Sequence, residues 1–510
     1  MTEHYLDRLA RTINENWNSP ALSDFYLTED GSEKDTSRGN HYSYGEMYEE
    51  MQRLGEMFAA LGLQKGDHIA ICGTNSAHWA VAYLSIAAYQ GVAVTILHSQ
   101  SPKDIAHQID FSDVKIIFAD VDLWEDLQEQ SLPQVEYAIS LADWKILKGK
   151  QISNLQSSIS NCQFVHGSPN ELAMICFTSG STGVSKGIMI PFRAINNSVS
   201  HSTCTFSVLN KENANYLSIL PLGHVFGLVY DLLSQICIGK HIHFVRSFSI
   251  NDLSIYIEKI LPYAISSPPM VILGILTKKG TSFFASISKY CRGIAIGGSE
   301  IPIEIERIQR ECNIPLYYGY GLTETASVVS GEISYLYHRQ GSCDRVIEGL
   351  VACIAPNGEI LVKGENVMLG YYKDPEATAR KIDKDGWLHT GDKGHMDEDG
   401  YLYVEGRIEQ DMIVLPNGEN IHPEDIERTI NALPEVKESI VLARDGKLVA
   451  IVVPQITNDQ LPMTNTDLRR IILRNVNPQL PLYSQLYDVE ITDVPLQRTE
   501  KKTIKRYLYK

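Results

Sequence analysis

The chain has no C-x-x-C pair in its 510 residues, although it carries nine cysteines. Without that spacing the common paired-thiol motifs are absent. Cys72, Cys162, Cys176, Cys204, Cys237, Cys291, Cys312, Cys343 and Cys353 are scattered, several in apolar runs, and read as buried thiols in a reducing compartment. Positive charge is also scarce: 45 Lys and Arg stand against 62 Asp and Glu, a net charge of −17. This balance argues against non-specific nucleic-acid binding and against docking on anionic membranes through bulk charge. No basic segment followed by an apolar core stands near Met1, so no signal peptide and a cytoplasmic location are expected. An unbroken membrane-length apolar run is missing too. The longest candidate, Ala77 to Leu97, is interrupted by His78, Gln90 and Gly91 and reads as a buried alanine-rich helix, a glycine stop and a strand. Internal repeats and low-complexity tracts are absent.

What is present centres on one stretch. An apolar run, Leu172 to Phe177, reads as a buried strand, and Thr178-Ser179-Gly180-Ser181-Thr182-Gly183-Val184-Ser185-Lys186-Gly187 follows it directly. The glycines let backbone N–H groups turn inward, the hydroxyls add donors, and Lys186 brings a mobile positive charge, so the loop can wrap a polyanion. A flexible surface turn has similar composition, but here a strand runs straight into the loop and a lysine closes it. Walker A is excluded because Ser185-Lys186-Gly187 stands where Gly-Lys-Ser/Thr is required. A nucleophile elbow is excluded because the glycines around Ser181 do not fit G-x-S-x-G.

The loop resembles the phosphate loop of the adenylate-forming superfamily, which includes acyl-CoA synthetases, peptide-synthetase adenylation domains and luciferases. The pattern T-S-G-S-T-G-x-P-K-G is matched from Thr178 to Gly187 with Ser185 in place of proline. About 140 residues on, Tyr318-Gly319-Tyr320-Gly321-Leu322-Thr323-Glu324 falls where the family has its Y-G-x-T-E motif. The resemblance implies that Tyr320 packs on adenine, Thr323 touches the α-phosphate and Glu324 ligates Mg²⁺, a hard ion that takes carboxylate and phosphate oxygens. It also implies that Gly298 and Ser299, within Gly297-Gly298-Ser299-Glu300, line the nucleotide. Asp392 of Thr390-Gly391-Asp392 would accept the ribose hydroxyls, Arg407 would contact the ribose, and His224 would stand at the mouth of the acyl pocket.

Alternating segments set the architecture. Ser43-Tyr44-Gly45-Glu46 is a capping box, and Met47, Met51, Leu54, Phe58 and Leu61 form one helical stripe closed by Gly62. Ile69–Cys72, Val92–Leu97 and Val114–Ala119 read as buried strands between helices, which predicts an α/β fold with a doubly wound sheet. The polar stretch from Ser131 to Pro169 reads as an irregular connector. Leu217 to Gly227 reads as a strand running into a turn, and Gly341 to Gly370 as a small β-rich subdomain. Beyond Arg407, a helix near Pro423–Leu433, strands near Ser439–Ala443 and Leu448–Val453, and a helix near Thr466–Val476 predict a small α+β unit. The expected division is a large domain over 1–406, a hinge over 407–411 and a small mobile domain over 412–510.

Two places depart from the family. The hinge Gly406-Arg407-Ile408-Glu409-Gln410-Asp411 has glutamate for the usual lysine and one extra residue, which leaves Gln410 and Asp411 both as pivots. Near the end, Arg498-Thr499-Glu500-Lys501-Lys502-Thr503-Ile504-Lys505-Arg506 puts Thr503 in the place of the family's lysine. Lys502, one residue early, is the favoured substitute over Lys501 and Lys505, although in an extended segment it faces the other way. A solvated basic tail is the plain alternative. The resemblance implies ATP-dependent activation of a small-molecule carboxylic acid with Mg²⁺, then transfer to coenzyme A. A fatty acid is the expected substrate, because the Pro221–Phe226, Gly418–Ile421 and Lys505–Tyr509 segments look most like bacterial fatty acyl-CoA synthetases. The other acceptor it allows is an acyl carrier protein. A nucleotide- or acyl-binding homologue with weakened catalysis, prompted by Thr503, is the reading from a different class.

Overall fold

The computed structural model describes residues 3–26, 38–151, 164–178, 186–209, 214–245, 249–299, 302–331, 339–407, 413–414, 420–421, 423–444, 447–455, 464–480, 484–498, 504 and 506–509. The chain divides into two compact units, one of residues 1–390 and 395–404, the other of 391–394 and 405–510.

The larger unit is built on an eight-stranded sheet. Its centre is five parallel strands in the order Leu172–Thr178, Val92–Ile96, His68–Cys72, Ile116–Ala119 and Tyr137–Ser140. Lys186–Pro191 and Gly370–Tyr371 extend one edge in antiparallel fashion, and Ile146–Lys148 closes the other. The helix Tyr44–Ala60 starts with the expected capping box: the Ser43 hydroxyl accepts from the Glu46 N–H at 3.2 Å, and the Glu46 carboxylate accepts from the Ser43 N–H at 2.8 Å. Its stripe of Met47, Met51, Leu54 and Phe58 is buried. The helix Ala77–Ala88 is buried at every residue from Ala77 to Ala87, as a core helix hydrophobic on all sides must be.

One reading of the sequence changes, and two helices are added to it. The 131–169 stretch is not an irregular connector throughout, because Tyr137–Ser140 and Ile146–Lys148 are strands of the main sheet. Strands of three or four residues in polar surroundings are too short to show a period. The helix Tyr5–Glu15, which buries Leu6, Leu9 and Ile13, was not anticipated. Val271–Leu276 lies within the helix Pro269–Ile287, which among the described residues is the one long and apolar enough to cross a membrane. Helical geometry breaks there at Gly280 (φ 72°, ψ −179°), directly after Lys278 and Lys279.

Two further four-stranded sheets lie in this unit. One has the order Asn215–Ser218, His241–Phe244, Pro20–Asp24 and His41–Ser43; the other has Ile265–Ser267, Ile294–Ile296, Leu316–Tyr320 and Ser330–Gly331. The β-rich texture after Gly341 appears as the hairpin of Leu350–Ile354 with Glu359–Gly364. The smaller unit packs the helices Pro423–Asn431 and Asn465–Val476 on a sheet of Val436–Arg444, Lys447–Pro454 and Asp488–Ile491. Its C-terminal segment is pinned by Arg506, whose guanidinium makes a two-pronged pair with Glu427 at 2.6 and 2.5 Å. Both side chains are nearly buried, and the Glu427 carboxylate also accepts from the Val441 N–H at 2.6 Å. Removing one partner would leave the other charge uncompensated.

Asp231 is a fully buried carboxyl group of the larger unit. It sits in a wide π-helical turn, Gly227–Leu233, with no exposed surface. The turn can begin only at a glycine, because a Cβ on Gly227 would lie 2.3 Å from the Pro221 carbonyl oxygen. One Asp231 oxygen accepts from the Ile219 and Leu220 N–H groups, both at 2.9 Å, and the other from the Tyr216 hydroxyl at 2.8 Å. Burial pushes its carboxyl up to about 7 against the pull of those hydrogen bonds. An unfolded aspartate loses its proton near pH 4 (roughly 3.9). Between there and 7 the folded state therefore holds a proton that the unfolded state releases, and stability falls as pH rises through that window. The Asp231→Asn variant, which cannot ionise, is expected to lose less stability than wild type between pH 5 and pH 8 in paired thermal melts.

Candidate functional site

Strand ends gather the candidate residues of the larger unit. Leu172–Thr178 and Lys186–Pro191 pair in register, Thr178 opposite Lys186, so the phosphate-loop sequence begins and ends at one strand terminus. The Lys186 ammonium lies over the Tyr371 ring, 4.9 Å from its centroid. The Tyr371 hydroxyl donates to the Glu324 carboxylate at 3.0 Å, and the Met368 N–H donates to the Glu324 carbonyl at 2.9 Å. Lys186 and Glu324, about 140 positions apart, thus meet through one tyrosine that the sequence did not single out.

Glu324 belongs to a 3₁₀ turn, Thr323–Thr325, that follows the strand Leu316–Tyr320. Thr323 and Tyr320 are buried and Glu324 is half-buried. Irregular backbone at this depth needs partners, and buried side chains provide them. The Thr325 hydroxyl accepts from the Leu322 N–H at 3.0 Å, and the Ser198 hydroxyl donates to the Ala326 carbonyl at 2.7 Å. The fully buried Asn366 amide donates to the Ser198 hydroxyl at 2.8 Å and to the Val328 carbonyl at 3.0 Å. No spacing in the sequence pointed to Ser198 or Asn366.

Gly297 sits at the end of the neighbouring strand Ile294–Ile296, where a Cβ would stand 3.2 Å from the Gly319 carbonyl oxygen and 3.8 Å from the Phe226 ring. Gly298 follows with φ +90° and open space on its Cβ side, and Ser299 is exposed. Phe226 belongs to the His224 turn, so this turn reaches the same strand ends. The Pro221–Phe226 turn is held from below: the buried Asn75 side chain donates to the Leu220 carbonyl at 2.8 Å and accepts from the Leu222 N–H at 3.0 Å. His224 is half-buried, and its Nδ1 accepts from the Phe226 N–H at 3.2 Å. Val225, Leu228 and Val229 are core residues, so the apolar run after His224 is packed interior.

Asp392 is buried on the strand Leu388–Met396, in the part of that strand that belongs to the smaller unit. Arg407 ends the strand Leu402–Arg407, in the part of it that belongs to the same unit. Several expected residues lie outside the described ones: Ser179, Gly180, Ser181, Thr182 and Gly183 of the loop, Gln410 and Asp411 of the hinge, Lys501, Lys502, Thr503 and Lys505 near the end, and the side chains of Thr178 and Arg407.

Among the described residues no cluster of three or more His, Cys, Asp or Glu side chains is placed to hold a metal ion. A single half-buried carboxylate, Glu324, fits a Mg²⁺ ion that draws its remaining ligands from phosphate and water, as this ion usually does. The turn is tight enough to test. A Cβ on Gly321 would stand 1.9 Å from the Ser327 carbonyl oxygen. Gly321→Ala is expected to push the Tyr320–Thr325 segment out of place at a cost of about 1–3 kcal/mol, read as a lower melting temperature together with weakened nucleotide binding.

Residues 9–372 match the family model described as AMP-binding enzyme, and residues 410–509 match that of the AMP-binding enzyme C-terminal domain. 4-Coumarate–CoA ligase 3 of Oryza sativa subsp. japonica is 25% identical over 496 residues, 90% of this chain and 85% of that protein. 2-Succinylbenzoate–CoA ligase of Oceanobacillus iheyensis is 27% identical over 411 residues, 79% of this chain and 81% of that protein. Among solved structures, ATP-bound MatB from Rhodopseudomonas palustris superposes with a TM-score of 0.79 at 21% identity, covering 100% of this chain and 98% of that one. O-succinylbenzoate coenzyme A synthetase from Bacillus subtilis, with ATP and magnesium, gives 0.76 at 23% identity, covering 98% of each. With the first match spanning well over half its length, the chain belongs to the AMP-binding enzymes of the adenylate-forming superfamily.

Proposed function

We propose that this protein is an AMP-forming acid–thiol ligase that activates a carboxylic acid with ATP and transfers the acyl group to coenzyme A. The observation that carries the reading is the Lys186–Tyr371–Glu324 contact, which joins the phosphate-loop strand to the Tyr320–Glu324 turn inside a family of nucleotide-binding enzymes. A carboxylate is a poor acyl donor because its charge repels nucleophiles. In the first half-reaction a carboxylate oxygen bonds to the α-phosphorus of ATP and pyrophosphate leaves. In the second the thiol sulfur bonds to the acyl carbon, the thiol proton is lost and AMP leaves.

In this reading Thr178, Ser179, Gly180, Ser181, Thr182, Gly183 and Lys186 cradle the phosphates. Tyr320 packs against adenine, with Gly298 and Ser299 beside the nucleotide. Thr323 donates to the α-phosphate, while Asp392 and Arg407 hold the ribose. His224 guards the entry of the acid. A magnesium ion held by Glu324 would supply charge neutralisation for the phosphate oxygens. Negative charge gathers on the α-phosphate in the transition state, so fixed donors aimed there contribute most to rate. The small unit, beyond a hinge at 407–411, brings Lys502 to that charge and then turns to admit the thiol.

The acid is the finer question. Segments such as Pro221–Phe226 favour a fatty acid, whereas relatives named for 4-coumarate and 2-succinylbenzoate favour a compact aromatic acid. The packed Val225–Val229 core lends no weight to a long tunnel along that run. The test is ATP–pyrophosphate exchange across fatty, hydroxycinnamic and succinylbenzoic acids, followed by AMP release with CoA or with an acyl carrier protein. Exchange with one acid class and CoA-dependent AMP release are the expected results. No exchange with any acid, from folded protein that binds ATP, would instead identify a binding homologue. Lys502→Ala should slow exchange by about 10²-fold, the scale of roughly 3 kcal/mol for one lost transition-state donor; unchanged exchange would remove Lys502 from the chemistry.

A further inference from the structure

We infer that Tyr371 is a positioning residue that keeps Lys186 and Glu324 apart while holding each ready for its own ligand. The inference rests on the reading above, in which Lys186 serves phosphate and Glu324 serves the metal.

The backbone explains how one side chain reaches both. Gly370–Tyr371 pairs antiparallel with the strand that begins at Lys186, Tyr371 opposite Ile188. Cross-strand partners point to the same face of a sheet, and residues two apart along a strand share that face. Tyr371, Ile188 and Lys186 therefore project together, which lays the phenol ring beneath the ammonium. The ring is fixed in place. Tyr371 is 7% exposed, its N–H donates to the Thr378 hydroxyl at 2.8 Å, and the Tyr372 N–H donates to the Gly187 carbonyl at 2.7 Å. Gly370, at φ +139°, leaves no room for a side chain, since a Cβ would meet Thr378 at 2.6 Å.

The chemistry of the two ends differs. At the ring face the ammonium is held by a cation–π contact, which is soft and directionless enough for the lysine to swing to a phosphate. At the hydroxyl, the Glu324 carboxylate receives a charge-assisted hydrogen bond on Oε1, which orients Oε2 for a second partner. Lys186 and Glu324 form no ion pair with each other within 4.0 Å, although a single residue touches both. Without the phenol between them, a lysine and a glutamate on adjoining elements would attract and neutralise each other. The phosphate would lose its cation and the metal its carboxylate. Tyr371 thus does for opposite charges what a second-sphere residue does for a metal ligand: it touches neither phosphate nor metal, yet sets the direction of the groups that do.

The test uses the full chain and two substitutions. Tyr371→Phe keeps the ring and removes the hydroxyl; Tyr371→Leu removes both. Two quantities are measured: the Mg²⁺ concentration for half-maximal pyrophosphate exchange, and the affinity for ATP in EDTA by calorimetry. Melting temperatures establish that the variants are folded, and if the Leu variant does not fold, the Phe variant decides alone. Tyr371→Phe is expected to raise the Mg²⁺ requirement about tenfold, the scale of one hydrogen bond to a charged group, while metal-free ATP affinity stays unchanged. Tyr371→Leu should add a further threefold to fivefold loss of metal-free ATP affinity, on the order of one cation–π contact. Glu324→Gln is the reference. If it raises the Mg²⁺ requirement and Tyr371→Phe does not, the positioning role is wrong and the assignment of Glu324 stands. If Glu324→Gln leaves the requirement unchanged, the assignment of Glu324 falls and this inference with it.

Discussion

Buried, irregular backbone must find hydrogen-bond partners, and the site of the larger unit depends on how that demand is met. Strand ends are where chains turn, and turns leave amides and carbonyls without ladder partners. Three polar side chains inside the fold take up those groups. Asn75 bonds both sides of the Leu220–Leu222 bend, Asp231 caps the Ile219 and Leu220 amides, and Asn366 ties Ser198 and Val328 beneath the Thr323–Thr325 turn. Each is buried, so each is a cost unless fully bonded. In return, the loops above them keep one shape while presenting groups to a ligand.

Open α/β sheets bind ligands beyond the carboxyl ends of their parallel strands, and the candidate residues of this unit stand at the ends of strands in two sheets. Thr178 and Lys186 end strands of the first; Gly297 and Tyr320 end strands of the second. Tyr371 joins them from an edge strand that belongs to the first sheet by hydrogen bonding and meets the second sheet's turn by its hydroxyl. Antiparallel edge strands are usually read as a way of ending a sheet. Here the edge also supplies the link between two sites of opposite charge.

Much of this was legible in the sequence. Motifs of glycine and hydroxyl residues, the capping box at Ser43, the alternation of helices and apolar strands and the texture change after Gly341 all report local physics, and local physics repeats. The supports did not show. Asn75, Asn366, Ser198 and Asp231 act at separations of 11 to 168 residues, and nothing in their immediate neighbours marks them out. Tyr371 stands in the ordinary-looking Gly370-Tyr371-Tyr372, where only the register against Ile188 separates the inward tyrosine from the next one. Tyr137–Ser140 was hidden by length, since four residues cannot display a period.

The clasp between Arg506 and Glu427 has a bearing on the departure near the end of the chain. Ile504 bridges to Arg498, and Arg506 is locked two residues later, so the tail is fastened on both sides of a five-residue interval. Fasteners of this kind convert sequence distance into spatial address. Neither end of the interval can slide along the tail by itself, because the bridge and the ion pair would have to slip together.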